Sequence, residues 1–285
     1  MAEPRRDTSR FGKDNDFFVV GIGASAGGLE ALESFFDNMA EGEGLAFVVV
    51  QHLSPDYKSL MVELLSRHTR MRVVKAEDGM AVEPGTVYLI PRRRNITMAD
   101  GRLRLSEQEE GLNLPIDIFL RSLAEDKAER AVGIILSGTG SDGTRGIRAI
   151  KEAGGMVMVQ DDASSRFDGM PRSAIATGIV DYILPPERMP EELVSYTRGG
   201  FALSLGHDEG LAAGADALTR ILSSIKRRTD IDFSYYKQST VLRRVERRMG
   251  INQIADVNEY VRYLQDYPAE AVTLSKEILI GVTKF

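Results

Sequence analysis

A chain of 285 residues, 43% hydrophobic and 27% charged, is long enough for one large domain or two ordinary ones and has a globular composition. It has no cysteine and three scattered histidines, which excludes disulfides and thiolate chemistry and argues against a metal enzyme. The net charge of −6 is uneven: residues 216–285 carry twelve Lys and Arg against nine Asp and Glu, so the remainder is acidic and a poor nucleic-acid binder.

The first fifteen residues are polar and charged with no signal-peptide core, and they are expected to be disordered. No apolar run approaches a membrane span, so a cytoplasmic protein with no direct membrane insertion is expected. The first apolar strand, Asp16 to Ile22, runs into Gly23-Ala-Ser-Ala-Gly-Gly28, and a helical pattern, Leu29 to Phe36, follows at once. Ser25 therefore stands beyond the carboxyl end of a strand and at a helix amino terminus, where free N–H groups favour negative charge. Three readings are open for it: a helix N-cap, a nucleophile beside an oxyanion site, and part of a phosphate cradle. The spacing Gly21-x-Gly23-x-x-x-Gly27 approximates a dinucleotide fingerprint, but the next apolar strand, Leu45 to Val50, ends in Gln51-His52 and offers no acid for a ribose.

His52 stands at the carboxyl end of that strand, whereas His68 falls in a helical run and His207 in a glycine-rich stretch. Ligands bind outside the carboxyl ends of strands in open α/β sheets. The segment from Ser25 to His52 holds one helical crossover, so the two strands are expected to be parallel. If paired, their ends lie about 4.8 Å apart, and imidazole is the usual base for a serine hydroxyl. Farther on, Val87 to Ile90 and Leu103 to Leu105, separated by a turn at Ala99-Asp-Gly101, predict a hairpin added to the sheet. Arg130 to Leu136 is another apolar strand emptying into a glycine-rich loop. Asp142 lies in that loop before a helix over Thr144 to Ala153. Asp142 reads either as a cap or Asp-Gly turn, or as the carboxylate that fixes an imidazole.

Gly155 to Gln160 is an interior strand, and Pro190 to Tyr196 a short helix. The alternation predicts an α/β domain with a mostly parallel, doubly wound sheet over residues 16–198. Residues 199–214 are glycine-rich and read as a linker. Residues 215–285 read as a small all-α domain with helices over Ala217–Arg228, Lys237–Met249, Val257–Tyr267 and Glu270–Ile280. In the second, Val241, Leu242, Val245 and Met249 make an apolar stripe, and Arg243, Arg244, Arg247 and Arg248 lie largely off it. Those arginines are expected either on a solvated face or on a docking surface for an acidic helix.

The strings Gly-Ala-Ser25-Ala-Gly-Gly, Gln51-His52-Leu, Ser137-Gly-Thr-Gly-Ser-Asp142-Gly and Gly169-Met-Pro171, in that order, resemble the catalytic domain of CheB, the chemotaxis protein-glutamate methylesterase and glutamine deamidase. The resemblance covers roughly Asp16 to Val194. It implies a Ser25–His52–Asp142 triad and an oxyanion or substrate site around Ala26, Gly27 and Thr139. It also implies no cofactor, and as partners the cytoplasmic helices of methyl-accepting chemoreceptors. Thr139 stands where many members have methionine, and Pro91-Arg-Arg-Arg94 is more basic than the family's usual small-residue loop. Asp232 to Met249 and Ile278 to Phe285 resemble the small N-terminal helical domain of CheR, the receptor methyltransferase, as in the front of a truncated CheB–CheR fusion. The S-adenosylmethionine-binding domain would begin just beyond Phe285, so this portion is expected not to methylate. The rival readings are a non-catalytic receptor-binding scaffold, a CheR-type methyltransferase, and a dinucleotide-binding oxidoreductase.

Overall fold

The computed structural model describes residues 17–40, 44–51, 60–108, 111–199 and 210–280. In chain order the first domain contains β1 (Phe18–Ala24), α1 (Gly28–Asp37), β2 (Leu45–Gln51), α2 (Met61–Leu65), β3 (Arg72–Lys75) and β4 (Thr86–Leu89). A hairpin of β5 (Arg94–Ala99) and β6 (Arg102–Glu107) follows, then α3 (Pro115–Lys127), β7 (Ala131–Ile135), α4 (Thr144–Ala153), β8 (Met156–Gln160), α5 (Gly169–Ile175), β9 (Tyr182–Leu184) and α6 (Met189–Gly199).

Seven strands form one sheet in the order β3-β4-β2-β1-β7-β8-β9, every neighbouring pair parallel. Continuous apolar runs make this possible, because a parallel strand is covered on both faces. All seven residues of β1 and all seven of β2 are buried. On one face Ile22, Phe47 and Val49 pack against Leu32, Phe35 and Phe36 of α1. On the other, Val48 and Val50 join Ile116, Phe119 and Leu120 of α3 and Ile147 and Ile150 of α4. Gly21 and Gly23 of β1 admit α3 to close range: a Cβ at Gly21 would stand 2.6 Å from a Leu120 methyl, and one at Gly23 would stand 2.4 Å from a methyl of Ile116.

The expected parallel sheet is present, with one pairing corrected. The strand around Val87 is an interior strand between β3 and β2, and the hairpin pairs Met98 with Leu103 in a separate two-stranded sheet. Its turn does fall at Asp100-Gly101, both with positive φ (54° and 70°), as a two-residue Asp-Gly connection demands.

The second domain is four helices, α7 (Gly210–Thr229), α8 (Gln238–Ile251), α9 (Val257–Asp266) and α10 (Pro268–Ile280). They enclose a core of Ile221, Phe233, Val241, Val245, Met249, Tyr260, Leu264, Leu274 and Ile278. Helix α7 starts at Gly210, inside the stretch expected as linker, and residues 200–209 lie outside the described residues.

The expectation of an open arginine face on α8 is corrected. Arg244, Arg247 and Arg248 are buried, and only Arg243 of the four is exposed. Arg244 donates to the carbonyls of Lys151 (3.1 Å) and Glu152 (2.7 Å) at the carboxyl end of α4, where unpaired carbonyls and the negative end of the dipole suit a cation. Arg247 donates to the Gly155 carbonyl at 2.9 Å and pairs with Asp181 and with Glu277 at 2.7 Å. Lys151 bridges Asp181 (2.6 Å) and Glu277 (2.9 Å), and Arg248 pairs with Glu270 (2.5 Å) and Glu277 (3.3 Å). Three cations and three carboxylates thus meet at the domain junction, and the Lys151–Glu277 and Arg247–Asp181 pairs cross it. Burial alone would raise the Glu277 carboxyl, but Arg247, Lys151 and Arg248 overcome it and hold its pKa down at about 2. The guanidinium fork explains the burial, since it satisfies carbonyls and carboxylates at fixed angles where a solvated face would leave them unpaired.

Candidate active site

The carboxyl ends of β1, β2 and β7 meet at the centre of the sheet. Ala24 stands opposite Gln51 in the β1–β2 register, and Gly23 opposite Ile135 in the β1–β7 register. The residues that leave those three ends are Ser25, His52 and the loop that carries Thr139 and Asp142. His52, one of the expected site residues, lies outside the described residues, as does His207.

Ser25 is half-buried and held by its backbone. Its N–H donates to the Ser137 carbonyl at 3.0 Å, and its carbonyl accepts from Gly28 N at 3.0 Å. The reading of Ser25 as a helix cap is corrected: the N-cap of α1 is Gly27, with φ 70°, and among the described residues no side chain caps that helix. Among the described residues, nothing hydrogen-bonds to the Ser25 hydroxyl or to the N–H groups of Ala26 and Gly27. A hydroxyl that no described residue engages thus stands beside two donors that no described residue engages, at a helix head, which suits a nucleophile and the oxyanion it creates.

The loops around Ser25 are fixed by Ser137, whose importance was not visible in the sequence. Its hydroxyl lies 2.9 Å from the Ala26 carbonyl and 3.2 Å from the Phe167 carbonyl, and it accepts from Phe167 N at 3.0 Å. Its own N–H donates to Gln160 Oε1 at 2.7 Å. Gly138 donates to the Phe167 carbonyl and accepts from Met170 N, both at 2.9 Å. A Cβ at Gly138 would stand 2.9 Å from Ser25 Cβ and 2.3 Å from Met170 Sδ, so only glycine lets the two loops close on the serine. Thr139, the next residue, is exposed on the rim of a groove that it shares with Asp117, Asp142 and Arg145. Beneath α1, the buried Gln51 amide has neither its nitrogen nor its oxygen partnered by a described residue.

Asp142 is buried, 5% exposed. Its Oδ2 accepts from Ile116 N at 3.0 Å, and its Oδ1 accepts from Asp117 N at 3.0 Å and Gly143 N at 2.8 Å. Asp142 therefore serves as the cap of a helix, but of α3 rather than of the α4 that follows it. Three N–H donors lock the carboxylate in one orientation.

Among the described residues no helix is long and apolar enough to cross a membrane. The family model for CheB methylesterase matches residues 20–193, and that for the all-alpha domain of CheR methyltransferase matches residues 216–279. A Rhodobacter capsulatus protein described as an uncharacterized 104.1 kDa protein is 41% identical over 248 residues, 79% of this chain and 26% of that protein. The protein-glutamate methylesterase/protein-glutamine glutaminase 1 of Xanthomonas campestris is 37% identical over 62% of this chain and 51% of its own length. The corresponding Pyrococcus abyssi protein is 33% identical over 64% of this chain and 52% of its length. The chain thus spans about half the length of the methylesterase relatives and about a quarter of the Rhodobacter protein. The crystal structure of the Thermotoga maritima CheB methylesterase catalytic domain superposes with a TM-score of 0.58 at 32% identity, covering 63% of this chain and 98% of that one.

Proposed function

Because the chain belongs to the CheB methylesterase family, we propose that it is a serine-type esterase that hydrolyses γ-glutamyl methyl esters on the cytoplasmic helices of chemoreceptors. The observation that carries this reading is the open Ser25 hydroxyl at the carboxyl end of β1, beside the undirected N–H groups of Ala26 and Gly27. Ser25 Oγ attacks the ester carbonyl while His52 takes its proton. The carbonyl oxygen becomes an oxyanion and is held by the Ala26 and Gly27 N–H groups. Collapse of that intermediate expels methanol, protonated by His52, and leaves a glutamyl ester on Ser25. Water then attacks, His52 again moves the proton, and free glutamate leaves. A glutamine side chain follows the same path, with ammonia as the leaving group.

Asp142 orients the imidazole and stabilises the imidazolium from its far side. Its grip on the head of α3 supports that role, since an orienting group must itself be held still. The 33–37% identity to named methylesterase/glutaminase proteins supports the substrate class. The test is incubation with a peptide bearing one γ-glutamyl methyl ester, following methanol release, together with mass spectrometry after a fluorophosphonate. Label on Ser25 and methanol release that vanishes in Ser25→Ala support the reading. Release that survives in that variant overturns it.

A further inference from the structure

Beyond Leu89 the chain leaves β4 through Ile90-Pro91-Arg92-Arg93 and enters the hairpin at Arg94. Strand β4 is the parallel neighbour of β2, with Val49 opposite Leu89, and Ile90 N donates to the Val49 carbonyl at 3.2 Å. The turn therefore leaves the sheet at the same end as Ser25, beside the end of β2. Two strand spacings of about 4.8 Å put its base about 10 Å from the end of β1.

Two properties of this turn have no use among the described residues. Arg92 and Arg93 are both exposed, and among the described residues no carboxylate pairs with either, whereas Arg94 is engaged by Glu107 at 3.7 Å. Arg93 also has φ 52°, a left-handed conformation that asparagine or glycine adopts more readily than a long side chain. The Arg93 carbonyl accepts from Gln108 N at 3.4 Å, and that is a backbone contact any residue would make. A strained backbone carrying an unneutralised charge at the working end of a sheet fits a residue kept for an external ligand.

We propose that Arg92 and Arg93 form a cationic rim that reads carboxylates of the substrate about 10 Å from the ester, so that acidic peptide segments are selected. The turnover part of the proposal rests on the esterase reading, and the binding part does not. Surface charges attract through water, so the rim acts on encounter and on KM rather than on the chemical step.

The test uses the full chain and two peptides, each with one γ-glutamyl methyl ester, flanked by glutamates in one and by glutamines at the same positions in the other. Binding to the Ser25→Ala protein is read by fluorescence anisotropy and turnover of the wild type by methanol release. At low salt the acidic peptide is expected to bind about tenfold more tightly, each arginine contributing about threefold. The preference should shrink as salt screens it and fall towards one with Arg92→Gln plus Arg93→Gly. The glycine suits the left-handed position, so the melting temperature is expected to hold or rise. In turnover the same loss should appear in KM. Equal binding of the two peptides by the Ser25→Ala protein, or a preference that survives the double substitution, overturns the rim. If the wild type hydrolyses neither peptide while the binding preference stands, the esterase reading fails and the rim remains. Equal binding and equal hydrolysis of both removes the rim alone.

Discussion

Asp142 caps the helix that carries Asp117, and Asp117 caps the helix that follows Asp142. Asp142 accepts the Ile116 and Asp117 N–H groups at the head of α3, and Asp117 Oδ1 accepts Gly146 N, at 2.7 Å, in the first turn of α4. The two acids thus tie the helices on one face of the sheet to each other and to the loop beyond β7. Burial raises the pKa of the Asp117 carboxyl, the Gly146 N–H opposes that, and the nearby Asp142 adds to it.

Asp117→Ala leaves the Gly146 N–H unpaired against Leu120, where a Cβ would already be 2.6 Å from Leu120 Cβ. Such an orphaned donor costs about 1–3 kcal/mol, which urea denaturation should detect. Asp117→Asn keeps the acceptor and removes the charge whose burial is unfavourable, so it should equal or exceed the wild type at neutral pH. A neutral result for the alanine variant would show that the cap is dispensable.

Ser25→Ala should abolish hydrolysis and shift stability by less than about 0.5 kcal/mol, because the N-cap of α1 is Gly27 and not the serine. His52→Ala should lose nearly as much activity, and the double variant little more, since residues acting as a unit are not additive. Losses that add would separate the two residues.

Gly138→Ala should cut activity at least about tenfold while costing about 1–3 kcal/mol of stability. The new methyl meets Met170 Sδ at 2.3 Å and Ser25 Cβ at 2.9 Å. Adding Met170→Ala should restore part of the stability and little of the activity, because the clash with the serine remains. Full recovery of kcat in the double variant would contradict this.

The domain junction should be acid-labile. The Glu277 pKa is held at about 2 against an ordinary value of 4.5, so its contribution is fully present above about pH 4.5 and is lost as the pH falls towards 2. That shift corresponds to about 3 kcal/mol. Hydrogen exchange in α8 and α10 should accelerate across this window before the β1–β2 core opens. Glu277→Ala should do the same at neutral pH, at about 3–5 kcal/mol, because it leaves buried cations uncompensated. Charge reversal at Arg244 and Arg248 should likewise loosen the junction, whatever it does to receptor binding. An unchanged exchange pattern would refute the buried network.

What the sequence disclosed was what is local. Strands β1, β2, β7 and β8 are apolar runs, and each is followed by its turn chemistry, so the positions of Ser25 and Asp142 at strand ends could be read directly. Strand β3, Arg72–Lys75, is short and begins and ends on exposed cations, and it left no signal. Val87 pairs with Val73 and Phe47 rather than with the run at Leu103, because an apolar tetrad carries no mark of which of several apolar runs it will choose. Helical spacing placed Arg244, Arg247 and Arg248 together, but Asp181, the partner of Arg247, is 66 residues away. Amphipathic periodicity sees one helix, and it cannot see the domain that covers the other side.

The bare backbone of β1 works as a spacer. Without side chains at Gly21 and Gly23, α3 rests on the strand through Ile116, Phe119 and Leu120, and the height at which it rests decides where its first-turn N–H groups meet Asp142. A methyl added at Gly23 would therefore be felt first by the acid, through the helix lying on the strand's back, and only afterwards by the serine at the strand's own tip. Ser25 and Asp142 are thus both positioned from the carboxyl end of β1, the serine by the strand itself and the aspartate by the helix that rests on it.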